Sequence, residues 1–120
     1  IRDRCVPISA LSASIEKTKK AIEKSGLLAP IAGHVGDGNY HLMILFDGDS
    51  TDGLSKAKSL ASEVNEIALD FGGTVTGEHG IGSGKRSYME REHGEAWSIM
   101  GNIKELFDPN NIMNPGKLVP

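Results

Sequence analysis

The sequence predicts an α+β fold in which helices cover one face of a small sheet. Apolar residues recur every three or four positions along several segments, and this spacing is typical of amphipathic helices. Short apolar runs lie between these segments, and the run from 40 to 46 is the clearest strand. The elements follow the order strand, helix, strand, helix, strand and then two helices, which indicates an α+β domain.

Each element follows from a local signal. Pro7 lacks a backbone N–H and restricts the first strand to an edge or an end, and Gly26 is a typical stop for the first helix. Thr51 or Asp52 is expected to cap the second helix. The predicted strands are residues 5–9, 40–46 and 74–76, and residues 30–33 are a candidate for a further short strand that enters a loop. The predicted helices are residues 9–25, 54–71, 85–93 and 96–107.

The last predicted helix carries two aromatic residues and is followed by a tail that contains prolines. Trp97 and Phe107 fit the apolar face of this helix and are expected in the core. Asp108-Pro109 closes the helix, because proline cannot continue it. The remaining residues, up to Pro120, are expected to form an extended arm.

Composition excludes several classes of protein. The 120 residues suit one domain, and 13 basic against 16 acidic residues give a net charge of −3, which offers no general attraction to nucleic acid. No apolar run is long enough to span a bilayer. The single cysteine, Cys5, favours a reducing compartment, the cytoplasm or, in a eukaryote, the mitochondrion. Because the chain opens at Ile1 on a charged run, we expect a piece of a longer polypeptide.

The loop GHVGDGNYH, residues 33–41, carries the first chemical signal. Its two histidines, His34 and His41, are too far apart in regular structure to share a ligand. The Gly-Asp-Gly between them permits a tight reversal that brings the two imidazoles together, and two close imidazoles are half of a first-row metal site. A simple turn with two surface histidines remains the alternative.

The glycine-rich segment TVTGEHGIGSGKR, residues 74–86, carries the second signal. Its glycines match neither a Walker loop nor a dinucleotide fingerprint, because the required positions hold other residues. Adjacent strand residues point to opposite sides, so Glu78 is free to complete a His₂Glu metal set while His79 lies beside the metal as a proton acceptor. An exposed turn with a Glu–Lys pair is the alternative.

Taken together, these motifs resemble the C-terminal domain of FAD-linked oxidases related to vanillyl-alcohol oxidase. The nearest branch is that of D-lactate dehydrogenase and the glycolate oxidase flavin subunit. The resemblance covers essentially the whole chain and rests on ordered motifs: VPIS at 6–9, GHVGDGNYH at 33–41, GEHGIG at 77–82, DP at 108–109 and NPGK at 114–117.

The resemblance implies specific roles. His34, His41 and Glu78 match the ligands of a divalent metal, zinc or manganese, and His79 matches the base that takes the hydroxyl proton while hydride leaves for the flavin. Asn114 is the candidate flavin contact. Met43 stands where the D-2-hydroxyglutarate branch often has Asn, which weighs against a dicarboxylic substrate. The implied activity is oxidation of D-lactate or a related 2-hydroxy acid to the 2-oxo acid.

The resemblance also implies partners. The fold would be part of a ferredoxin-like cap domain with an antiparallel sheet, and FAD would be bound mainly by a separate N-terminal domain. The chain alone is expected to be inactive and to self-associate through a bare sheet edge and apolar face. The electron acceptor and the metal are left open. The alternative is a metal-binding or regulatory module without catalysis of its own.

Overall fold

A computed structural model describes residues 1–117 of the chain. These residues form two compact units, one of residues 1–79 and one that begins at Gly80. The first unit contains a sheet and two long helices, and the second contains two shorter helices. This content confirms the predicted α+β class.

The sheet of the first unit has three antiparallel strands. They are β1 (Arg2–Cys5), β2 (Ile31–Ala32) and β3 (Asn39–Leu42), and β3 lies in the centre. In the register of the sheet, His41 is opposite Asp3 of β1 and opposite Ala32 of β2. Directly opposed residues project from the same face, so these three side chains form a row across the sheet.

Two helices cover the other face of the sheet. They are α1 (Leu11–Ser25) and α2 (Thr51–Asp70), which pack on each other. Side chains alternate along β3, so Tyr40 and Leu42 face the helices while His41 faces away. The buried core cluster is Val6, Ala21, Ala29, Tyr40, Leu42, Leu60, Val64 and Ala68. The row of Asp3, His41 and Ala32 therefore lies on the face of the sheet that points away from α1 and α2, here called the open face.

Two predicted strands have different bounds in the structure. The first strand ends at Cys5, before Pro7, and Ile8–Ala10 forms a short 3₁₀ turn, so the prediction of 5–9 was wrong. Proline cannot donate to a neighbouring strand, and the chain turns there toward α1. The strand predicted at 40–46 stops at Leu42, although the Leu45 N–H still donates to the Leu28 carbonyl at 2.9 Å.

The predicted strand at 74–76 is reduced to a single antiparallel bridge between Cys5 and Thr74. The Thr74 hydroxyl accepts the backbone N–H of Thr76 at 3.1 Å. Because a threonine hydroxyl that accepts a nearby backbone N–H stabilises a turn, it favours the turn over a strand at this position. The cap of α2 was also predicted wrongly, because the Ser50 hydroxyl, one position earlier, accepts the Gly53 N–H at 3.0 Å.

The second unit contains α3 (Arg86–His93) and α4 (Ala96–Phe107). Both helices match their predicted positions closely, and His93 ends α3 before Gly94, as a helix-end residue should. Trp97 is half-buried, but Phe107 is 76% exposed, so its predicted place in the core was wrong. The apolar side of α4 is open in this chain.

The tail is not the extended arm that the sequence predicts. Backbone N–H groups of Asn111 and Lys117 donate to the carbonyls of Asp108 and Asn114, which makes two successive turns. The last three positions of the predicted arm, 118–120, lie outside the described residues. Across residues 1–117, no helix combines the length and apolarity that crossing a membrane requires.

Candidate functional site

A cluster of imidazoles and carboxylates lies on the open face of the sheet in the first unit. One possible ligand atom from each member lies within 4.8 Å of all the others, and the members are Asp3, His41, Glu78 and His79. The row across the sheet supplies Asp3 and His41, and the segment after Val75 supplies Glu78 and His79. The cluster is therefore built where a strand pair meets a glycine-rich turn.

His34 is not a member of this cluster, but the chain reverses between the two histidines and brings His34 next to Glu78. Val35–Asp37 forms a 3₁₀ turn that ends at Gly38, whose φ of +73° is a left-handed conformation that favours glycine. A Cβ at Gly38 would also collide with the carbonyl oxygen of Val6. The reversal brings the rings of His34 and His41 to 5.9 Å, edge to face, which confirms the predicted proximity of the two imidazoles.

Glu78 joins the two histidines. Its Oε1 lies 3.2 Å from Nε2 of His41 and 3.8 Å from Nε2 of His34. The three residues singled out from the sequence as a ligand set thus converge on one carboxylate oxygen. The side chains of His34 and Glu78 are 64% and 51% exposed, whereas that of His41 is only 16% exposed, so the set is open on one side.

His79 lies next to the same set. Its ring stacks on that of His41 with centroids 5.2 Å apart and planes 17° apart, and its Nε2 is 3.8 Å from Oε1 of Glu78. The sequence argument that neighbouring residues point to opposite sides was wrong here, because residues 77–79 form a turn rather than a strand. A turn lets both side chains reach one cluster.

Gly77 makes the close approach of this turn possible. Its φ is +49°, and a Cβ at this position would overlap the carboxylate of Asp3. The turn therefore passes directly over Asp3, and the backbone N–H of His79 donates to Asp3 Oδ2 at 2.8 Å. By contrast, a Cβ at Gly80 or Gly82 would meet no atom within 4 Å, so of these three glycines Gly77 is the one that makes a close contact.

Asp3 is fully buried beneath the cluster. Its Oδ1 accepts the Asn39 side-chain amide at 2.7 Å, in addition to the His79 N–H at Oδ2. Burial raises the pKa of this carboxyl, but the hydrogen bonds from Asn39 and from the backbone of His79 and Glu78 outweigh it, and the net pKa lies below 3.8. Asp3 is accordingly ionised at neutral pH.

The two nitrogens of His41 face different carboxylates. Nε2 faces Glu78, and Nδ1 lies 3.2 Å from Oδ1 of Asp3. Nδ1 is buried and makes no hydrogen bond with any residue from 1 to 117, since its approach to Asp3 is poorly aligned. A buried polar atom of this kind fits a site in which ring orientation tightens when a ligand binds to the opposite nitrogen.

The donor set fits a divalent metal. Two imidazole nitrogens and one carboxylate with an open side are the arrangement of a catalytic zinc site, and the same donors suit other first-row metals. Next to this set is an apolar cavity of about 230 Å³, lined by Ile1, Ala32, His41, Met43 and His79. Met43, which the resemblance singled out for substrate choice, is part of this lining.

Asn114 and several other polar residues are not part of this set. Asn114 belongs to the second unit, where it is exposed in a turn with a φ of +49°. Lys85 is buried at the start of α3, and Arg86 donates from its guanidinium to the Gly116 carbonyl at 2.6 Å, so Arg86 is already engaged. The Cys5 thiol donates to the Asp37 carbonyl at 3.2 Å and ties the histidine loop to β1.

Sequence reasoning missed Asp3 and Asn39. Both are buried polar residues of the sheet, and Asn39 also donates to the Arg4 carbonyl at 3.0 Å. The available signal was a charged residue two positions before Cys5, in a segment expected to enter a strand. That signal became informative only once the register had paired Asp3 with His41.

Comparison with known proteins identifies the family of the chain. A family model described as FAD linked oxidases, C-terminal domain, matches residues 1–118. The mitochondrial D-lactate dehydrogenase [cytochrome] of Arabidopsis thaliana is 47% identical over 121 residues, covering 100% of this chain and 21% of the relative. The probable mitochondrial D-lactate dehydrogenase of Danio rerio is 45% identical, over 98% of this chain and 24% of the relative.

A bacterial relative has a different name from the two D-lactate dehydrogenases. The glycolate oxidase subunit GlcD of Bacillus subtilis is 34% identical over 98% of this chain and 25% of its own length. The chain thus spans about a fifth to a quarter of the curated relatives that it matches. From its first residue to residue 118, the chain belongs to the C-terminal domain family of the FAD-linked oxidases.

Proposed function

We propose that this chain is the substrate and metal portion of an FAD-dependent dehydrogenase that oxidises D-lactate or a related 2-hydroxy acid to the 2-oxo acid. The observation that carries the proposal is the convergence of His34 and His41 on Glu78, with His79 stacked beside them. Relatives named D-lactate dehydrogenase and glycolate oxidase subunit give the reaction class.

The metal in this proposal is held by His34, His41 and Glu78. The three side chains offer two Nε2 atoms and one carboxylate, and their exposed side leaves positions for substrate oxygens. When bound, a Zn²⁺ or Mn²⁺ ion polarises the hydroxyl and carboxylate oxygens of the substrate, and FAD accepts the hydride.

His79 acts as the base in this proposal. Its side chain is about half exposed, and Nε2 is the ring nitrogen on the Glu78 side, 3.8 Å from Oε1. Imidazole is the side chain that general-base catalysis uses most often, which suits His79 to receive the hydroxyl proton. As hydride leaves C2, the O–H bond breaks, the proton goes to Nε2 of His79, and the C–O single bond becomes the carbonyl of the 2-oxo acid.

The cavity beside His41 and His79 supports a substrate with a small apolar substituent. Apart from the two imidazoles, its lining side chains are Ile1, Ala32 and Met43, and none of these offers a charge to a second carboxylate. A methyl group, as in lactate, suits such a surface better than a carboxymethyl chain. This reasoning agrees with the expectation drawn from Met43 against a dicarboxylic acid.

The remaining parts of the proposal concern the rest of the enzyme. FAD is bound mainly by a flavin domain joined to this chain, and Asn114 contacts the flavin. The location in this proposal is the cytoplasm or, in a eukaryote, the mitochondrion, and the relatives from Arabidopsis thaliana and Danio rerio, which are named mitochondrial, support the second.

The metal site is tested by calorimetric titration of the metal-stripped chain with Zn²⁺ and with Mn²⁺. We expect one ion per chain, and no binding in His41→Ala, because that change removes the central ligand. The matched control is His93→Ala, which removes a histidine at the end of α3. Equal binding by the chain and by His41→Ala would contradict the metal site.

The reaction is tested in the full-length flavoprotein under anaerobic conditions. We expect D-lactate to bleach the flavin absorbance, and His79→Gln to slow the bleaching by roughly 10²–10⁴-fold, the usual contribution of a general base. Unchanged bleaching in His79→Gln would contradict the role of His79. Metal binding without any bleaching by 2-hydroxy acids would favour the alternative of a non-catalytic metal-binding module.

A further inference from the structure

We propose that Asp3, braced by Asn39, is a positioning residue that holds His41 with the proton on Nδ1 and leaves Nε2 free for the metal. The inference rests on the proposed function only for the identity of the group bound at Nε2. It assigns a role to two residues of the sheet that lie outside the ligand set, and it explains why a carboxylate is buried directly behind a predicted ligand.

The sheet register creates the contact. Asp3 and His41 are opposite each other on antiparallel strands, so their side chains share the open face at cross-strand distance. Oδ1 of Asp3 lies 3.2 Å from the buried Nδ1 of His41, so the two atoms are within hydrogen-bonding distance, and they become aligned for a hydrogen bond when the ring orientation tightens. Both oxygens of Asp3 act as hydrogen-bond acceptors, toward the Asn39 amide and the His79 N–H, so the carboxylate favours the tautomer in which Nδ1 of His41 carries the hydrogen.

Asp3 belongs to the tight cluster of possible ligands, yet its geometry favours the supporting role. Both of its oxygens already accept hydrogen bonds, from Asn39 and from the His79 backbone. It also faces the opposite nitrogen of His41 from the one that faces Glu78. The two lone-pair directions of an imidazole diverge, so one metal ion cannot occupy both sides of this ring.

Asn39 and Gly77 keep the carboxylate in place. The Asn39 amide, itself 6% exposed, donates both to Asp3 and to the Arg4 carbonyl, and so links the carboxylate to its own strand. On the other side, the absence of a side chain at Gly77 lets the turn rest on the carboxylate. Asp3 is therefore fixed before any ligand arrives, as preorganisation of a metal site requires.

The first test needs no metal. Nitrogen-15 NMR of the chain distinguishes the two tautomers of a neutral histidine by the shifts of the two ring nitrogens. We expect His41 in the Nδ1–H form in the chain and a substantial Nε2–H population in Asp3→Asn. An Nε2–H form of His41 in the unmodified chain, or the same tautomer in both proteins, would overturn the proposal.

The second test is the zinc affinity of the same variants. Loss of a residue that orients a metal-binding histidine typically weakens binding 10–100-fold, and we expect this for Asp3→Asn with one ion still bound. Complete loss, as expected for His41→Ala, would make Asp3 a ligand and overturn the positioning role. Unchanged affinity would overturn it as well.

Control variants separate the causes. Asp37→Asn removes the same charge from the exposed part of the histidine loop, and we expect affinity within twofold of the chain. Should Asp3→Asn fail to fold, Asn39→Ala leaves the carboxylate but removes its brace, and we expect it to raise the Nε2–H population; an unchanged tautomer in this folded variant would then overturn the proposal. If the chain binds no zinc, the proposed metal site fails, and the tautomer of His41 still decides the role of Asp3.

Discussion

Two buried aspartates, one in each unit, have similar surroundings and different roles. Asp3 accepts the Asn39 amide and the backbone N–H of His79. Asp108, at the end of α4, accepts the Lys104 ammonium and the backbone N–H groups of Ile112 and Met113, at 2.9 and 2.8 Å. The net pKa of each carboxyl lies below 3.8.

The two carboxylates differ in the chemical groups that surround them. At Asp108 the donors come from the last turn of α4 and from the backbone that follows it, so the carboxylate ends a helix and shapes a turn. Asp3 instead faces two imidazoles, those of His41 and His79. Burial and a lowered pKa therefore do not identify a functional carboxylate, whereas the chemistry of its neighbours does.

The largest effect is expected from Gly77→Ala. The positive φ costs roughly 1–2 kcal/mol for a residue with a Cβ, and overlap with Asp3 adds on the order of 1–3 kcal/mol as in overpacked cores. Gly80→Ala is the matched control, because its φ is also positive, +79°, and its Cβ meets no atom within 4 Å. Urea unfolding measures both variants, and equal losses would show that the turn does not rest on Asp3.

Metal binding at the site next to Asp3 should raise the free energy of unfolding, and this increase should not depend on Asp108. A ligand that binds only the folded state adds about 2.7 kcal/mol at one hundred times its Kd. We expect this increment in thermal or urea unfolding of the chain with Zn²⁺, its loss in His34→Ala, and its full retention in Asp108→Asn. An increment that survives in His34→Ala would remove His34 from the ligand set.

A smaller effect, with a defined pH dependence, is expected from Asp108→Asn. The hydrogen bond from Lys104 holds the pKa of Asp108 below 3.8, with burial opposing it and two backbone N–H groups adding to it. A lowered folded pKa contributes stability above the unfolded pKa, and this contribution is lost as pH falls through the folded value. The stability difference between chain and variant should be constant above about pH 5 and shrink below it. A difference that grows toward low pH would contradict the assignment.

The smallest effect concerns association rather than folding. The apolar side of α4 carries Ile99, Ile103 and Leu106, whose side chains are 56, 52 and 76% exposed. Because exposed apolar faces tend to pair, we expect the chain to self-associate. Leu106→Gln should raise the monomer fraction in sedimentation equilibrium, with a folding cost of no more than about 0.5 kcal/mol. Leu28→Gln, 69% exposed in the first unit, is the control, and a monomer at every concentration would contradict the expectation.

The helices were predictable because their signals are local. The apolar spacing of α2 and the glycine after α1 depend only on neighbours in sequence, and Gly26 does end α1 in a left-handed conformation with a φ of +69°. The strands were less predictable, because Arg2–Cys5 and Asn39–Leu42 are defined by their partner strand. At 74–76 the Thr74 hydroxyl accepts the Thr76 N–H, a donor that a strand would have used to pair with its neighbour.

The sequence by itself determined the chemistry of the site. Two histidines around Gly-Asp-Gly, and a glutamate and histidine after Gly77, specify which donors are available, because residue types set donor chemistry and glycines permit the reversals. Only the tertiary structure decided that Asp3 lies behind His41, that Glu78 and His79 share one side, and that the face of α4 stays open. Those outcomes depend on strand register and on contacts between distant residues, and no local pattern encodes them.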